Sequence, residues 1–229
     1  MKKIWEIFPN LAAVVRKTHL DEKITGGGHD FEHAARVAQY AYIVSEGEVF
    51  RNLAGAAGLC HNADRVLQTR LKVGRRDVSA DKIRDLVLEW LSSESAFIDS
   101  DKETIIDAVL KHGGKNDDSD SPILVALMDA DRLVNIELDL VIRSGQFQPD
   151  LPAVDFVFFL SDPTADYKNP KSVLRDIFHS LEWETDSRFQ IRLPRAVEMA
   201  KSRFAALRTF IQTIELQLKD SGLMPYPFV

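Results

Sequence analysis

Three residues that are far apart in the sequence have side chains suited to binding a divalent metal ion. His33 lies in the first turn of a predicted helix, in the stretch HDFEHAARV, and His61 ends the predicted helix that follows. Asp131 interrupts an otherwise apolar helical pattern, ALMDADRLVN. A carboxylate within an apolar helix is unfavourable unless it is paired or binds a metal. Two imidazoles and one carboxylate suit Mn, Fe, Co, Ni or Zn, so the pattern raises the hypothesis of a metal centre.

Each of these residues also has a purely structural interpretation. His33 fits the capping region of a helix, and His61 fits a buried histidine at a helix end, where the macrodipole favours it. Asp131 could pair with Arg132 on a helix surface. Asp129 and Asp131 are two residues apart and cannot face the same way, so we expect one of them to face inward. Taken position by position, these structural interpretations remain open beside the metal hypothesis.

The overall charge and the cysteine content exclude several classes of protein. The 229 residues carry a formal net charge of −6, which argues against general nucleic-acid binding and against binding to anionic membranes, because both need a basic surface. Cys60 is the single cysteine, so neither an intrachain disulfide nor a cysteine-based zinc cluster can form.

The apolar spacing of the first 15 residues favours an amphipathic helix over a signal peptide. No apolar segment approaches the roughly 20 residues that cross a bilayer, and we expect a cytoplasmic protein.

The elements that must position these residues are predicted to be helices. Apolar residues recur at three- and four-residue spacing through most of the chain. The stretch VDFVFFLSD could form a short strand, but no partner strand is evident, and the proline-containing segment 144–170 reads as an irregular excursion. We therefore predict an all-α fold, with residues 1–229 forming a single helical domain. Its core would span about 29–145, and C-terminal helices at about 170–220 would pack on that core.

The order of these motifs resembles a known superfamily. HDFEHAARV, a following helix that ends in His61, and the distal DADRL are similar to the H…HD…D signature of the HD-domain metal-dependent phosphohydrolases. The likeness covers His29 to Val134, and KSVLRDIFHSL with the long final helix also resembles small bacterial HD hydrolases. The resemblance implies an HD-like helical bundle and a divalent metal ion (Mn, Fe, Co, Ni, Zn or Mg). It also implies hydrolysis of phosphomonoesters, phosphodiesters or nucleotides by a water that the metal activates.

The resemblance assigns the metal ligands by position, with one departure from the family pattern. It matches His33, His61 and Asp131 to ligands, but Asn62 stands where the family has the aspartate of its HD pair. An amide carbonyl can still coordinate a metal, although more weakly than a carboxylate. The loss of one charge should lower metal affinity. Asp64 lies three residues after His61 and would share its face if the helix continued. Whether Asp64 supplies the carboxylate that is missing at position 62 is left open.

Further residues are candidates for binding the phosphate or for orienting the water. Arg36 lies three residues after His33 and shares its face, which makes it the leading phosphate-binding candidate, although Glu32 is an alternative partner. Asp64 and Asp131 are the candidates for orienting the attacking water. The other phosphate-binding candidates are Arg65, Lys111 and His112, of which His112 matches an extra histidine in many HD hydrolases. His29 and Asp30 are expected to lie next to the ligands without contacting the metal, and to orient a ligating imidazole.

Two hypotheses about function follow from the sequence. The first is a metal-dependent phosphohydrolase that acts on a small phosphorylated molecule, with a nucleotide among the candidate substrates. The second is an HD fold that has lost its chemistry and binds a nucleotide or a protein partner, for which Asn62 is the supporting feature. The sequence leaves open whether the protein forms a homodimer.

Overall fold

A computed structural model describes residues 2–24, 29–74 and 77–224. This part of the chain folds mainly into α-helices, with a short 3₁₀ helix at Ser180–Glu184 and no β-sheet, so the predicted all-α helical bundle is confirmed. None of these helices combines the length and the apolar character that a membrane span requires. In chain order the helices are α1 (Ile4–Ile7), α2 (Pro9–Asp21), α3 (Phe31–Val44), α4 (Glu48–Cys60), α5 (Ala63–Leu71), α6 (Ala80–Leu91), α7 (Asp99–Lys111), α8 (Pro122–Val134), α9 (Leu140–Phe147), α10 (Val173–His179), the 3₁₀ helix Ser180–Glu184 and α11 (Pro194–Asp220).

The centre of the bundle is the pair α3 and α4, on which α8 packs from the side. The two helices approach so closely that a β-carbon added at Gly58 would lie 2.4 Å from Cα and 2.7 Å from the backbone nitrogen of Ala38. Only glycine fits such a contact between helix backbones. The close approach brings the start of α3, which carries His33, next to the end of α4, which leads into His61.

Side-chain caps fix where the helices around this centre begin. The Asp30 carboxylate accepts the backbone N–H of His33 at 2.9 Å and starts α3. Ser121 starts α8 in the same way, because its hydroxyl accepts the backbone N–H of Leu124. Each cap satisfies a backbone donor that the first turn of a helix leaves without an intrahelical partner. The cap at Asp30 therefore fixes the turn on which His33 lies.

The structure differs from the sequence-based expectation in two segments. Apolar periodicity alone predicts one helix over residues 123–142, but α8 ends at Val134 and α9 begins at Leu140. The residues of the break turn polar side chains towards α3 and back onto α8 instead of continuing the helix. The stretch 154–162 forms turns rather than a strand, because the Asp155 carboxylate accepts the backbone N–H groups of Val157 and Phe158.

Helix α11 joins the bundle through a buried carboxylate on α8. Asp129 is fully buried, and its Oδ2 accepts the backbone N–H groups of Arg192 (2.9 Å) and Leu193 (2.6 Å) at the start of α11. Burial raises the pKa of Asp129, although these two hydrogen bonds oppose the rise. Asp129 thus faces α11, whereas Asp131 faces α3. We retain as a proposal that residues 1–229 form a single domain with its core at about 29–145.

Candidate metal centre

His33, His61 and Asp131 come together at one point of the bundle. Asp131 Oδ1 lies 3.1 Å from His33 Nε2 and 4.0 Å from His61 Nε2. One donor atom from each of the three side chains lies within 4.8 Å of the other two, close enough to bind one metal ion. In the described ranges, no other group of three or more His, Cys, Asp or Glu side chains meets this condition. Both imidazoles are buried, while the Asp131 side chain is 26% exposed and leaves a route from solvent.

The hydrogen bond behind His61 determines which of its nitrogens faces the other two side chains. His61 Nδ1 lies 2.7 Å from the carbonyl oxygen of Gly58, one turn back in α4. A carbonyl can only accept, so Nδ1 carries the proton and Nε2 keeps its lone pair. A backbone carbonyl behind the imidazole is the usual arrangement at a metal-binding histidine. The end of α4 thus presents a ligand nitrogen at the centre.

The arrangement of acceptor atoms on His33, His61 and Asp131 fits a bound cation. His61 Nε2 and Asp131 Oδ1 are both acceptors, and they face one another across 4.0 Å without a proton between them. His33 Nδ1 is buried and has no hydrogen-bond partner among the described residues. Two acceptors that face one another at a partly buried position are unfavourable unless a cation lies between them. The donor set therefore fits a divalent metal ion.

The protonation states are also those that metal binding requires. Burial lowers the pKa of His61 to about 3, and the nearby Asp131 opposes this shift only in part. Burial alone would raise the pKa of Asp131, but the hydrogen bond from His33 and the proximity of the His61 ring hold it well below its usual range. At neutral pH the centre thus contains a neutral His61 and an ionised Asp131, which are the ligand forms of both groups.

Asn62 occupies the turn between α4 and α5 and is almost completely buried. Its Nδ2 donates to the backbone carbonyl of His29 at 3.2 Å. This hydrogen bond leaves Oδ1 as the ligand atom that the amide can offer. An aspartate at this position could not donate to the His29 carbonyl, so Asn62 has a structural role that the sequence did not indicate.

Asp64 does not lie where a continuous helix would have placed it. Helix α4 ends at Cys60 and α5 begins at Ala63, so the condition under which Asp64 would share the face of His61 is not met. Asp64 is absent from the group of potential ligands. It lies instead with His61 on the wall of a cavity of about 690 Å³.

Two of the predicted phosphate-binding residues line this same cavity. His112 and Lys111 are at the end of α7, and the His112 ring lies 5.5 Å from the His61 ring. His112 Nδ1 lies 2.6 Å from the carbonyl oxygen of Val109, which leaves Nε2 as its other hydrogen-bonding atom. Lys111 Nζ forms an exposed ion pair with Asp107 at 2.7 Å. We name this space the His61 cavity.

The other predicted residues divide between a second cavity and the surrounding structure. Arg65 and His29 line a space of about 350 Å³, which we name the His29 cavity. Burial lowers the pKa of His29 to about 2, and its ring lies 5.8 Å from the His33 ring. Arg36 lines neither cavity, because its guanidinium binds Glu137 at 2.7 Å and Asp139 at 2.8 Å. We therefore leave Arg36 out of the proposed phosphate-binding set.

Sequence reasoning missed two residues that support Asp131. Asn135 Nδ2 donates to Asp131 Oδ1 at 2.9 Å. Arg143 in turn donates to Asn135 Oδ1 at 3.2 Å and to the carbonyl of Val134 at 2.7 Å, and its side chain is 12% exposed. The four-residue spacing between Asp131 and Asn135 could have indicated the first contact. The contact of Arg143 depends on the break between α8 and α9, which the sequence pattern did not predict.

The comparison with protein families agrees with the fold and with this geometry. Residues 30–136 match the family model described as HD domain, and this range contains all three potential ligands. The chain therefore carries an HD domain over residues 30–136. Neither a curated protein nor a solved structure matches the chain.

Proposed function

We propose that the protein is a metal-dependent phosphohydrolase that acts on a small phosphorylated molecule, with a nucleotide among the candidate substrates. The observation that carries the proposal is the meeting of His33, His61 and Asp131 beside a cavity of about 690 Å³. Two buried histidines and a partly exposed carboxylate are a donor set for a divalent ion with open coordination positions. The HD domain at residues 30–136 supports hydrolase chemistry at this position.

Different residues of the chain would orient the metal ligands, orient the attacking water and bind the phosphoryl oxygens. When bound, a divalent ion would supply Lewis-acid polarisation of a phosphoryl oxygen and a lowered pKa for a water ligand. Asn135 holds the Asp131 carboxylate in place, and Gly58 holds the His61 ring. Asp64, which lines the His61 cavity, would accept a hydrogen bond from the attacking water. His112 and Lys111 from one cavity, and Arg65 from the other, would bind the phosphoryl oxygens.

The second candidate function is binding without hydrolysis, and Asn62 is the observation that favours it. The buried amide of Asn62 donates to the His29 carbonyl and supplies no charge to the centre. One carboxylate fewer means less electrostatic attraction for the metal ion. An HD fold of this kind could keep its cavities and bind a phosphorylated ligand unchanged.

A reconstitution assay separates the two functions. The full chain would be stripped with a chelator and loaded separately with Mn²⁺, Co²⁺, Ni²⁺, Zn²⁺, Fe²⁺ or Mg²⁺. It would then be assayed on p-nitrophenyl phosphate, bis-p-nitrophenyl phosphate and nucleoside triphosphates. A phosphohydrolase should show hydrolysis that needs the metal and is lost in Asp131→Asn. The control Asp99→Asn removes an exposed charge on α7 and should leave the rate unchanged. Tight ligand binding without turnover under any metal would favour the second function.

A further inference from the structure

The two cavities on either side of α5 differ in charge. Both border the proposed metal centre, one through His61 and the other through His29. The His61 cavity is lined by four carboxylates, Asp64, Asp107, Asp117 and Asp120, alongside Lys111 and Lys115. The His29 cavity has no carboxylate on its described wall, and its charged lining residues are Arg65 and Lys72. A second anionic group, beyond the one that Lys111 and His112 would bind, is therefore favoured in the His29 cavity rather than among the carboxylates of the His61 cavity.

Contacts within the wall of the His29 cavity and beside it hold the cavity in place. Arg70, on α5, donates to Glu22 at the end of α2 with a distance of 2.8 Å. Arg65 donates to Gln68 at 3.3 Å along the same helix. The His29 ring contacts the rings of His33 and Phe147 edge-on, each with a centroid separation of 5.8 Å. The cavity thus has one polar, cationic wall on α5 and an aromatic wall that leads directly to a potential metal ligand.

Lys72, on the wall of the His29 cavity, ends α5 in a conformation that glycine would adopt more easily. It ends α5 in the left-handed region, with φ 55° and ψ 45°. Glycine is the residue that this helix-ending position favours, because a β-carbon raises the free energy of the left-handed conformation. Lys72 occupies this position instead of glycine, and it lines the His29 cavity.

We propose that the substrate carries a second anionic group, and that Lys72, together with Arg65, binds this group in the His29 cavity. The substrate class is a small molecule with two neighbouring phosphoryl groups. The reacting phosphoryl group lies at His33, His61 and Asp131, and the second group lies against α5. This inference rests on the proposed function, and it makes Lys72 a specificity-determining residue rather than a member of the catalytic set.

The test is a binding measurement on the metal-loaded full chain. Methylenediphosphonate and methylphosphonate are titrated calorimetrically in excess Mn²⁺, so that chelation by the probe does not strip the protein. The variant is Lys72→Gly, which suits the left-handed backbone and should not weaken the fold. We expect Lys72→Gly to lower the affinity for methylenediphosphonate by about fivefold, as for one partly exposed ion pair. Its affinity for methylphosphonate should stay unchanged.

Two control variants separate a specific site from a general charge effect. Lys171→Gly also removes a lysine with positive φ, at 68°, but that residue lines neither cavity. Lys115→Met removes a cation from the His61 cavity. Both should bind the two probes as the wild type does. The inference is overturned if Lys72→Gly binds methylenediphosphonate as well as the wild type does, or if Lys115→Met shows an equal loss.

The result can be separated from a failure of the proposed function. The Mn²⁺ content of the wild type and the heat of methylphosphonate binding are measured in the same samples. Wild type that holds Mn²⁺ and binds methylphosphonate, but shows no dependence on Lys72, contradicts this inference alone. Wild type that holds no Mn²⁺ and binds neither probe contradicts the proposed function and this inference with it.

Discussion

Asn135 donates its side-chain amide to Oδ1 of Asp131 at 2.9 Å, one turn further along the chain at the end of α8. The same carboxylate oxygen lies 3.1 Å from His33 Nε2. Arg143 holds Asn135 from the other side and is itself fixed by the carbonyl of Val134. The orientation of Asp131 thus depends on a chain of hydrogen bonds that begins beyond the end of its own helix.

Removal of the Asn135 amide should weaken metal binding more than it weakens the fold. Asn135→Ala leaves Asp131 free to rotate, and a change in a group that orients a ligand lowers metal affinity by about tenfold or more. The measurement is calorimetric titration with Mn²⁺ and, for a spectroscopic signature, the visible absorption of the Co²⁺-loaded protein. Asn10→Ala is the control, because it removes an exposed amide from α2, outside the donor group. Equal Mn²⁺ affinity in wild type and Asn135→Ala would contradict the positioning role.

Asn62→Asp should have opposite effects on metal affinity and on the stability of the metal-free protein. The carboxylate adds a charged ligand and should raise Mn²⁺ affinity. Without metal, the variant loses the hydrogen bond to the His29 carbonyl and places a carboxylate oxygen against it. We expect the free energy of unfolding of the metal-free protein to fall by about 1–3 kcal/mol, measured by urea denaturation. A variant with unchanged Mn²⁺ affinity would show that position 62 does not contact the ion.

Gly58→Ala tests the close approach of α3 and α4. The new β-carbon would lie within 3 Å of two backbone atoms of Ala38, and neither can move without shifting the helix. The free energy of unfolding should fall by about 1–3 kcal/mol despite the better helix propensity of alanine. Gly145→Ala on α9 is the matched control, because no atom lies within 4 Å of its added β-carbon. That variant should be as stable as the wild type or more stable, and a similar loss in both would refute the packing argument.

Cys60 offers a probe of metal binding that does not depend on activity. It is the residue before His61, it is completely buried, and burial raises the pKa of its thiol, so the folded protein should resist thiol reagents. Labelling then requires opening of the structure. A metal ion that binds the folded state at 100 times its dissociation constant should slow labelling by about a hundredfold. In Asp131→Asn the same metal concentration should have little effect, whereas slowing of equal size would place the ion elsewhere.

The juxtaposition of His33, His61 and Asp131 could be predicted from the sequence because each signal was local. His33 follows a capping aspartate, His61 ends an apolar helix, and Asp131 is a carboxylate within another. The order of the motifs then resembled a family whose fold brings such residues together. Their assignment as ligands stays a prediction until a metal is measured.

The surroundings of the centre could not be predicted in the same way. The sequence did not indicate the partners of Arg36, because Glu137 and Asp139 lie about a hundred residues away in the break between α8 and α9. The end of α4 at Cys60 depends on backbone angles in a short turn, and this turn decides where Asp64 lies. Helical periodicity predicts neither polar partners that are distant in the sequence nor the position of a two-residue turn.

The most direct test of the central claim is the metal content of the untagged protein by elemental analysis, in wild type and in His33→Ala, His61→Ala and Asp131→Ala. Circular dichroism would show in parallel that the variants keep their helices. We predict about one equivalent of a divalent transition metal in the wild type, and a loss of that metal in each variant. A folded wild type that holds no metal, even after incubation with Mn²⁺, Co²⁺ or Ni²⁺, would contradict the claim.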